Sequence, residues 1–238
     1  MGFDRIRIKE NAKTHYRLNK WNNVLVMFLY MLIAGGGSGI LSGVMSGFIV
    51  AADVSDETAP AFMLVLYILC FGVTIFGVNV LAMGLLAWYQ KAIHREKTGV
   101  EPLFDGFSQK YMENVLTMFL KNLYIGLWSM LFIVPGVVKT YSYAMTEYIK
   151  MENPDVSASQ AIDISMRMMN GHKWDLFVLD LSFLGWHILS GFTYGILMIL
   201  YVGPYYYAAR AFAYEEIKAD AIASGRIREE ELTSANVY

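Results

Sequence analysis

The sequence predicts an all-α fold: a polytopic membrane helical bundle of about six transmembrane helices with both ends in the cytoplasm. Three observations carry this. The first is two long stretches free of Asp, Glu, Lys and Arg, 32 residues from Trp21 to Ala52 and 33 from Thr58 to Gln90. A hydrocarbon core of ~30 Å needs only about 20 apolar residues of helix. The second is composition, with 56% hydrophobic and 17% charged residues, where a soluble domain carries about 25% charged. The third is the placement of the basic residues relative to the apolar stretches, since Lys and Arg gather on the cytoplasmic side of a membrane.

Taken in order, residues 1–20 form a basic cytoplasmic segment with Arg5, Arg7, Lys9, Lys13, Arg17 and Lys20 against Asp4 and Glu10. It reads as a helical lead-in at the membrane surface, either a topology signal or an anionic-lipid contact. It does not read as a cleavable signal, because a long polar lead precedes an apolar run too long for a signal core. Residues 21–213 form the membrane domain. Span 1 lies within Asn23–Val50 and span 2 within Ala61–Tyr89, separated by the acidic Asp53–Glu57 loop. A polar loop with Lys91, Arg95, Lys97 and Lys110 follows. Span 3 runs from about Val115 to Val134 and turns at Pro135-Gly136, a pair that removes a donor and permits positive φ. Span 4 takes Val137–Tyr148.

Ser157 and Gln160 fit a capping box. It opens an amphipathic surface helix, Ala158–Met169, with Ala161, Ile162, Ser165, Met166 and Met169 on one face and an Asp163–Arg167 pair on another. Asn170-Gly171 stops it. Span 5 covers about Trp174–Leu189, turns at Ser190-Gly191, and span 6 covers about Thr193–Phe212 with a kink near Pro204. Residues 214–238 are a polar, helix-permissive cytoplasmic tail. With six spans, 17 of the 19 basic residues fall inside, Arg210 being counted with the tail, and none in an outer loop, leaving Lys121 and Lys139 within spans and Glu147 at the inner interface of span 4.

The stretch Trp128–Trp186 carries a distinctive pattern. It comprises Trp128, Leu131, Val134-Pro135-Gly136, Lys139, Tyr141 and Tyr143, then Asn153-Pro154, then Ala161-Ile162, Ser165, Met168-Met169 and Gly171-His172-Lys173-Trp174, and finally Leu181-Ser182-Phe183 with Gly185-Trp186. This resembles an uncharacterised polytopic integral membrane family, a domain of unknown function common in Gram-positive bacteria and distantly similar to the membrane domains of glycerophosphodiesterases. The resemblance implies a multi-helix membrane fold in a bacterial cell membrane and no activity; the phosphodiesterase domain itself is absent.

Two features carry the functional expectations. In span 1, Gly35, Gly39, Gly43 and Gly47 recur every fourth residue, with Ser38, Ser42 and Ser46 one position earlier. Small residues at this spacing let helices approach closely in lipid. The face serves self-association or a pore lining, or packs against span 2 or 6, or Gly35-Gly36-Gly37 breaks the helix. The second feature is ionisable residues within spans, which are expensive there. Asp180 and Lys121 lie at similar depth near the inner side and pair with one another, or each snorkels to the interface. His187 and Lys139 lie near the outer side, where a histidine is a proton-linked ligand or a donor to a carbonyl. His172-Lys173-Trp174-Asp175 reads as an interface anchor at a helix start.

Four scattered histidines provide no paired metal spacing, and no phosphate-loop or nucleophile-elbow motif occurs. No cofactor is expected. A net charge of −2 gives no reason to expect a nucleic-acid partner. Cys70 reads as a buried small hydrophobe. The expected partners are membrane lipids and a second copy of the chain or another membrane protein. The reading is a non-enzymatic small transporter or channel-like component. The alternatives are a membrane scaffold or partner subunit associating through the span 1 face, and a lipid or phosphodiester enzyme.

Overall fold

The computed structural model describes residues 3–51, 59–94, 98–108 and 110–233, and these are mostly helical with no strand among them. Helix α1, Arg5–Leu18, is capped by the Asp4 carboxylate, which accepts from the Ile6 and Arg7 amides. It buries Ile8, Ala12 and Tyr16 and lies along the last long helix. After one irregular residue, Asn19, helix α2 runs unbroken from Lys20 to Ala51, through all the glycines of the expected small-residue face. The acidic 53–57 loop lies outside the described residues.

Helix α3, Ala59–Val73, continues through a π turn at Thr74–Val78 into α4, Asn79–Ala92. A short 3₁₀ turn, Glu101–Phe104, and α5, Asp105–Ser108, pack on α4. Gly84 is required there, because a Cβ would fall on the Leu103 backbone. Helix α6, Tyr111–Leu131, then pairs with α7, Ile133–Ser142. Helix α8, Thr146–Glu152, and α9, Ala158–Met168, follow. Helices α10, Lys173–Leu181, and α11, Leu184–Phe192, lead to a π turn at Met198–Val202, to α12, Gly203–Ala223, and to α13, Glu229–Thr233. A π turn interrupts the regular hydrogen-bond ladder, and a tyrosine from another helix serves a carbonyl in each. Tyr111 donates to the Phe76 carbonyl at 2.7 Å and Tyr16 to the Leu200 carbonyl at 2.6 Å.

Several expected turns move. The chain reverses at Phe132, in extended conformation at φ −157° and ψ 145°, rather than at Pro135-Gly136. Pro135 sits in the first turn of α7, where its missing N–H leaves no bond unmade. Gly136 lies against Ser129, whose Cα would stand 2.9 Å from an added Cβ, so the glycine allows the hairpin to close. The other reversal is at Thr193-Tyr194-Gly195 rather than Ser190-Gly191. There Tyr194 and Gly195 take φ of +51° and +81°, and the Gly195 amide donates to the Ser190 carbonyl. The segment expected as span 4 breaks between α7 and α8, and that expected as span 5 breaks at Ser182-Phe183. Where a kink was expected near Pro204, a π turn immediately precedes the helix that carries it.

The capping box of α9 forms, Arg167 bonds Asp163 at 3.0 Å, and Gly171 takes φ +93°. The apolar face of α9 packs on α6, α8 and α12, so it is covered by protein. Met166, expected on that face, is only half-buried. The core gathers α1, α4, α8, α9, α10 and α12 around Trp88, Tyr89, Tyr148, Phe183 and Tyr214. Large apolar side chains elsewhere point outward, among them Leu64, Ile68 and Phe71 of α3 at 61–64% exposure. Among the described residues, Met63–Ala92 and Lys173–Phe192 are long and apolar enough to cross a membrane.

Candidate functional site

Four helices bring ionisable groups together at the edge of the core. Lys121 of α6 forms an ion pair with Glu147 of α8. Arg210 of α12 bonds Asp180 of α10 at 2.9 Å. The four side chains retain only 9–20% exposure. Tyr141 and Tyr206 face Asp180, and the Arg210 guanidinium stands 6.0 Å from the Tyr206 ring centre. Tyr148 stacks on Tyr214 at 4.9 Å, and the Tyr214 hydroxyl donates to Glu152, which also pairs with Lys218. Positive charge is therefore set against each carboxylate, as a low-dielectric environment requires. One oxygen of each acid, Asp180 Oδ1 and Glu147 Oε2, is buried without a hydrogen bond among the described residues.

The expected Asp180–Lys121 pair does not form. Each finds a partner that the sequence reading placed elsewhere, Arg210 in the cytoplasmic tail and Glu147 at the interface. Arg210 and Asp180 stand 30 positions apart, so local sequence gave no sign of their pairing. His187 and Lys139 do not join the network. His187 Nδ1 lies 2.9 Å from the Phe183 carbonyl and therefore carries the ring proton, and the ring meets Tyr206 edge-on. The Lys139 ammonium stands 5.0 Å from the Trp128 ring centre and 5.6 Å from that of Tyr143.

In α2, a Cβ built on Gly35, Gly39, Gly43 or Gly47 meets no atom of the described residues within 4 Å. The side chains of Ser38 and Ser42 lie outside the described residues; Ser46 is exposed. Cys70, expected to be buried, is half-buried.

A second polar cluster joins the end of α12 to α9 and α10. His172 Nε2 meets Asp220 at 2.9 Å, and Arg226 bridges Asp220 and the carbonyls of Met168 and Asn170. Arg167 reaches Glu231 of α13 at 2.5 Å. The His172 hydrogen bond holds the Asp220 carboxyl below its usual range, with Arg226 adding to it, and Arg167 does the same for Glu231. The separation of 48 positions between His172 and Asp220 gave the sequence no local sign of this contact. Among the described residues no group of three His, Cys, Asp or Glu is placed to hold a metal ion. An open groove of about 1030 Å³ lies between Arg17–Val26 and Thr98–Val100. A smaller one of about 370 Å³ lies between α3 and α6, with Thr74, Asn79 and Asn122 among apolar residues.

Compared with known families, residues 136–221 are similar to a family described as a protein of unknown function (DUF975). No curated protein and no solved structure matches the chain. The matched segment holds Glu147, Asp180 and Arg210 and leaves Lys121 and helices α2 and α3 outside it.

Proposed function

We propose that the chain is a multi-pass protein of the bacterial cell membrane, both ends cytoplasmic, serving as a non-catalytic scaffold or partner subunit through the outward face of α2 and α3. The observation that carries this is the row of large apolar side chains on α3, where Leu64, Ile68 and Phe71 exceed 60% exposure in a helix whose composition suits lipid. Contiguous apolar surface of this kind marks a membrane or protein interface. Helices in lipid associate through close packing of small residues, and Gly43 and Gly47 have room for a neighbouring backbone. The α2–α3 hairpin supplies two crossings, and the number is six if the hairpins of α6–α8 and α10–α12 also reach the outer face.

Native mass of the protein in lipid nanodiscs tests the reading. A defined oligomer or a stoichiometric partner is expected, with loss of that species in Gly43→Leu. A monomer without a partner, or an assembly indifferent to Gly43→Leu, would overturn it.

A transport role has one observation in its favour, the unbonded buried oxygens of Asp180 and Glu147. It ranks second because each acid already has a cation beside it. Asp180→Asn should then alter proton or monovalent-cation flux in proteoliposomes while expression holds; unchanged flux removes Asp180 from such a role.

A further inference from the structure

The positions of the two reversals set how far each hairpin can reach. The charge-free parts of the α2 and α3–α4 helices, residues 21–51 and 59–90, are each worth ~45–50 Å at 1.5 Å per residue. With its reversal at Phe132, the second hairpin is charge-free only over residues 122–131 and 133–138, between Lys121 and Lys139. Those legs are ~15 Å and ~9 Å. With its reversal at Tyr194, the third is charge-free over residues 181–193 and 195–209, between Asp180 and Arg210. Those legs are ~20 Å and ~22 Å. A hydrocarbon core is ~30 Å thick, so neither hairpin crosses it while the Lys121–Glu147 and Asp180–Arg210 pairs stay at the headgroup level.

The neighbours of these hairpins shorten the reach further. Lys139 has no carboxylate partner among the described residues, and its ammonium meets Met166 of α9 at 3.9 Å. That helix carries the solvent-exposed Asp163 on another face. Charged helix α1 lies against the third hairpin. Lys9 bonds Ser182 at 3.1 Å, and Tyr16 bonds the Leu200 carbonyl, six residues and ~9 Å of helix past Tyr194. The adjoining Arg17 is exposed, as are Lys13 and Lys20. Beyond these charges the tips hold the most exposed apolar side chains, Met130 at 86%, Ile133 at 80%, Phe192 at 79% and Tyr194 at 97%.

We propose that the Phe132 and Tyr194 hairpin tips insert into the acyl chains of the cytoplasmic leaflet without crossing the bilayer, while basic helix α1 lies at its anionic headgroups. The exposed cations of α1 match that surface, each basic residue being worth ~1 kcal/mol near an anionic leaflet. The distribution of basic residues is the same as for six crossings, since neither tip carries a charge. The proposal rests on the α2–α3 hairpin crossing the membrane.

The experiment uses the full chain with Cys70→Ser and single cysteines at Ser55, Phe132, Tyr194 and Ser224, labelled in intact cells with a membrane-impermeant maleimide. Ser55→Cys should label from outside and Ser224→Cys only after permeabilisation. Phe132→Cys and Tyr194→Cys should resist reagent from both sides until detergent is added. A bimane on either tip should be quenched by lipids brominated along the acyl chain. Labelling of either tip from outside would overturn the proposal in favour of full crossings. Protection without bromolipid quenching would also overturn it, by showing the tips covered with protein. If Ser55→Cys labels only from inside, the crossing of α2–α3 itself fails, a result separable from either.

Discussion

Lys121 and Glu147 stand 26 positions apart in the chain, on different helices, and form a pair with little exposure. Removing one member of a buried pair strands the other charge, which costs about 3–5 kcal/mol, whereas replacing both with apolar groups of similar volume is often neutral. Lys121→Met is therefore expected to lower the thermal stability of the purified protein, and Lys121→Met with Glu147→Leu to restore most of it. Equal loss in the single and double variants would show that the charges are wanted for something other than packing. The same logic ties Asp180 to Arg210. These four residues were partly legible beforehand: a charge inside an apolar stretch announces itself. Its partner does not, because pairing depends on which helix faces turn toward each other. Two of the four, Glu147 and Arg210, had been read as interface or tail residues for that reason.

At the scale of elements, α9 was the most legible. Ser157, Gln160, the Asp163–Arg167 spacing and Gly171 each act within a few residues, so local chemistry alone defines both ends. The hairpin turns were harder. Pro135-Gly136 looks like a reversal, yet proline is at home in a helix's first turn and glycine serves a close crossing against Ser129. The true reversals fall at Phe132, a residue with no turn preference, and at Thr193-Tyr194-Gly195, where Gly195 rather than Gly191 takes the positive φ that ends the helix. The latch of α12 and α13 on α9 responds to pH. Asp220 and Glu231 are held below their usual ranges by His172 and Arg167 respectively. Their contribution is therefore complete above the ordinary carboxylate range and lost as pH falls through their lowered values. Limited proteolysis should cut the Ser224–Arg228 connection faster below about pH 4 than at pH 7. A pH-independent rate, or protection in acid, would contradict the latch.

For the whole molecule, apolar surface is divided between two uses. Around Trp88, Tyr148 and Tyr214 it is buried by protein, whereas on α3 and at the two hairpin tips it faces outward. The sequence by itself determined that the chain is helical, that its helices carry enough apolar length to suit a membrane, and that its basic residues concentrate at the ends and in particular loops. These follow from period, run length and charge order, which are properties of the chain read in one dimension. Only the tertiary structure decided which apolar residues are covered, which charges meet, and how far each hairpin stands clear of the charged helices beside it. Contacts such as Tyr16 with Leu200 or Asp180 with Arg210 bridge 184 and 30 residues. Nothing in local sequence encodes them, since they arise from the joint packing of helices whose faces compete for the same neighbours.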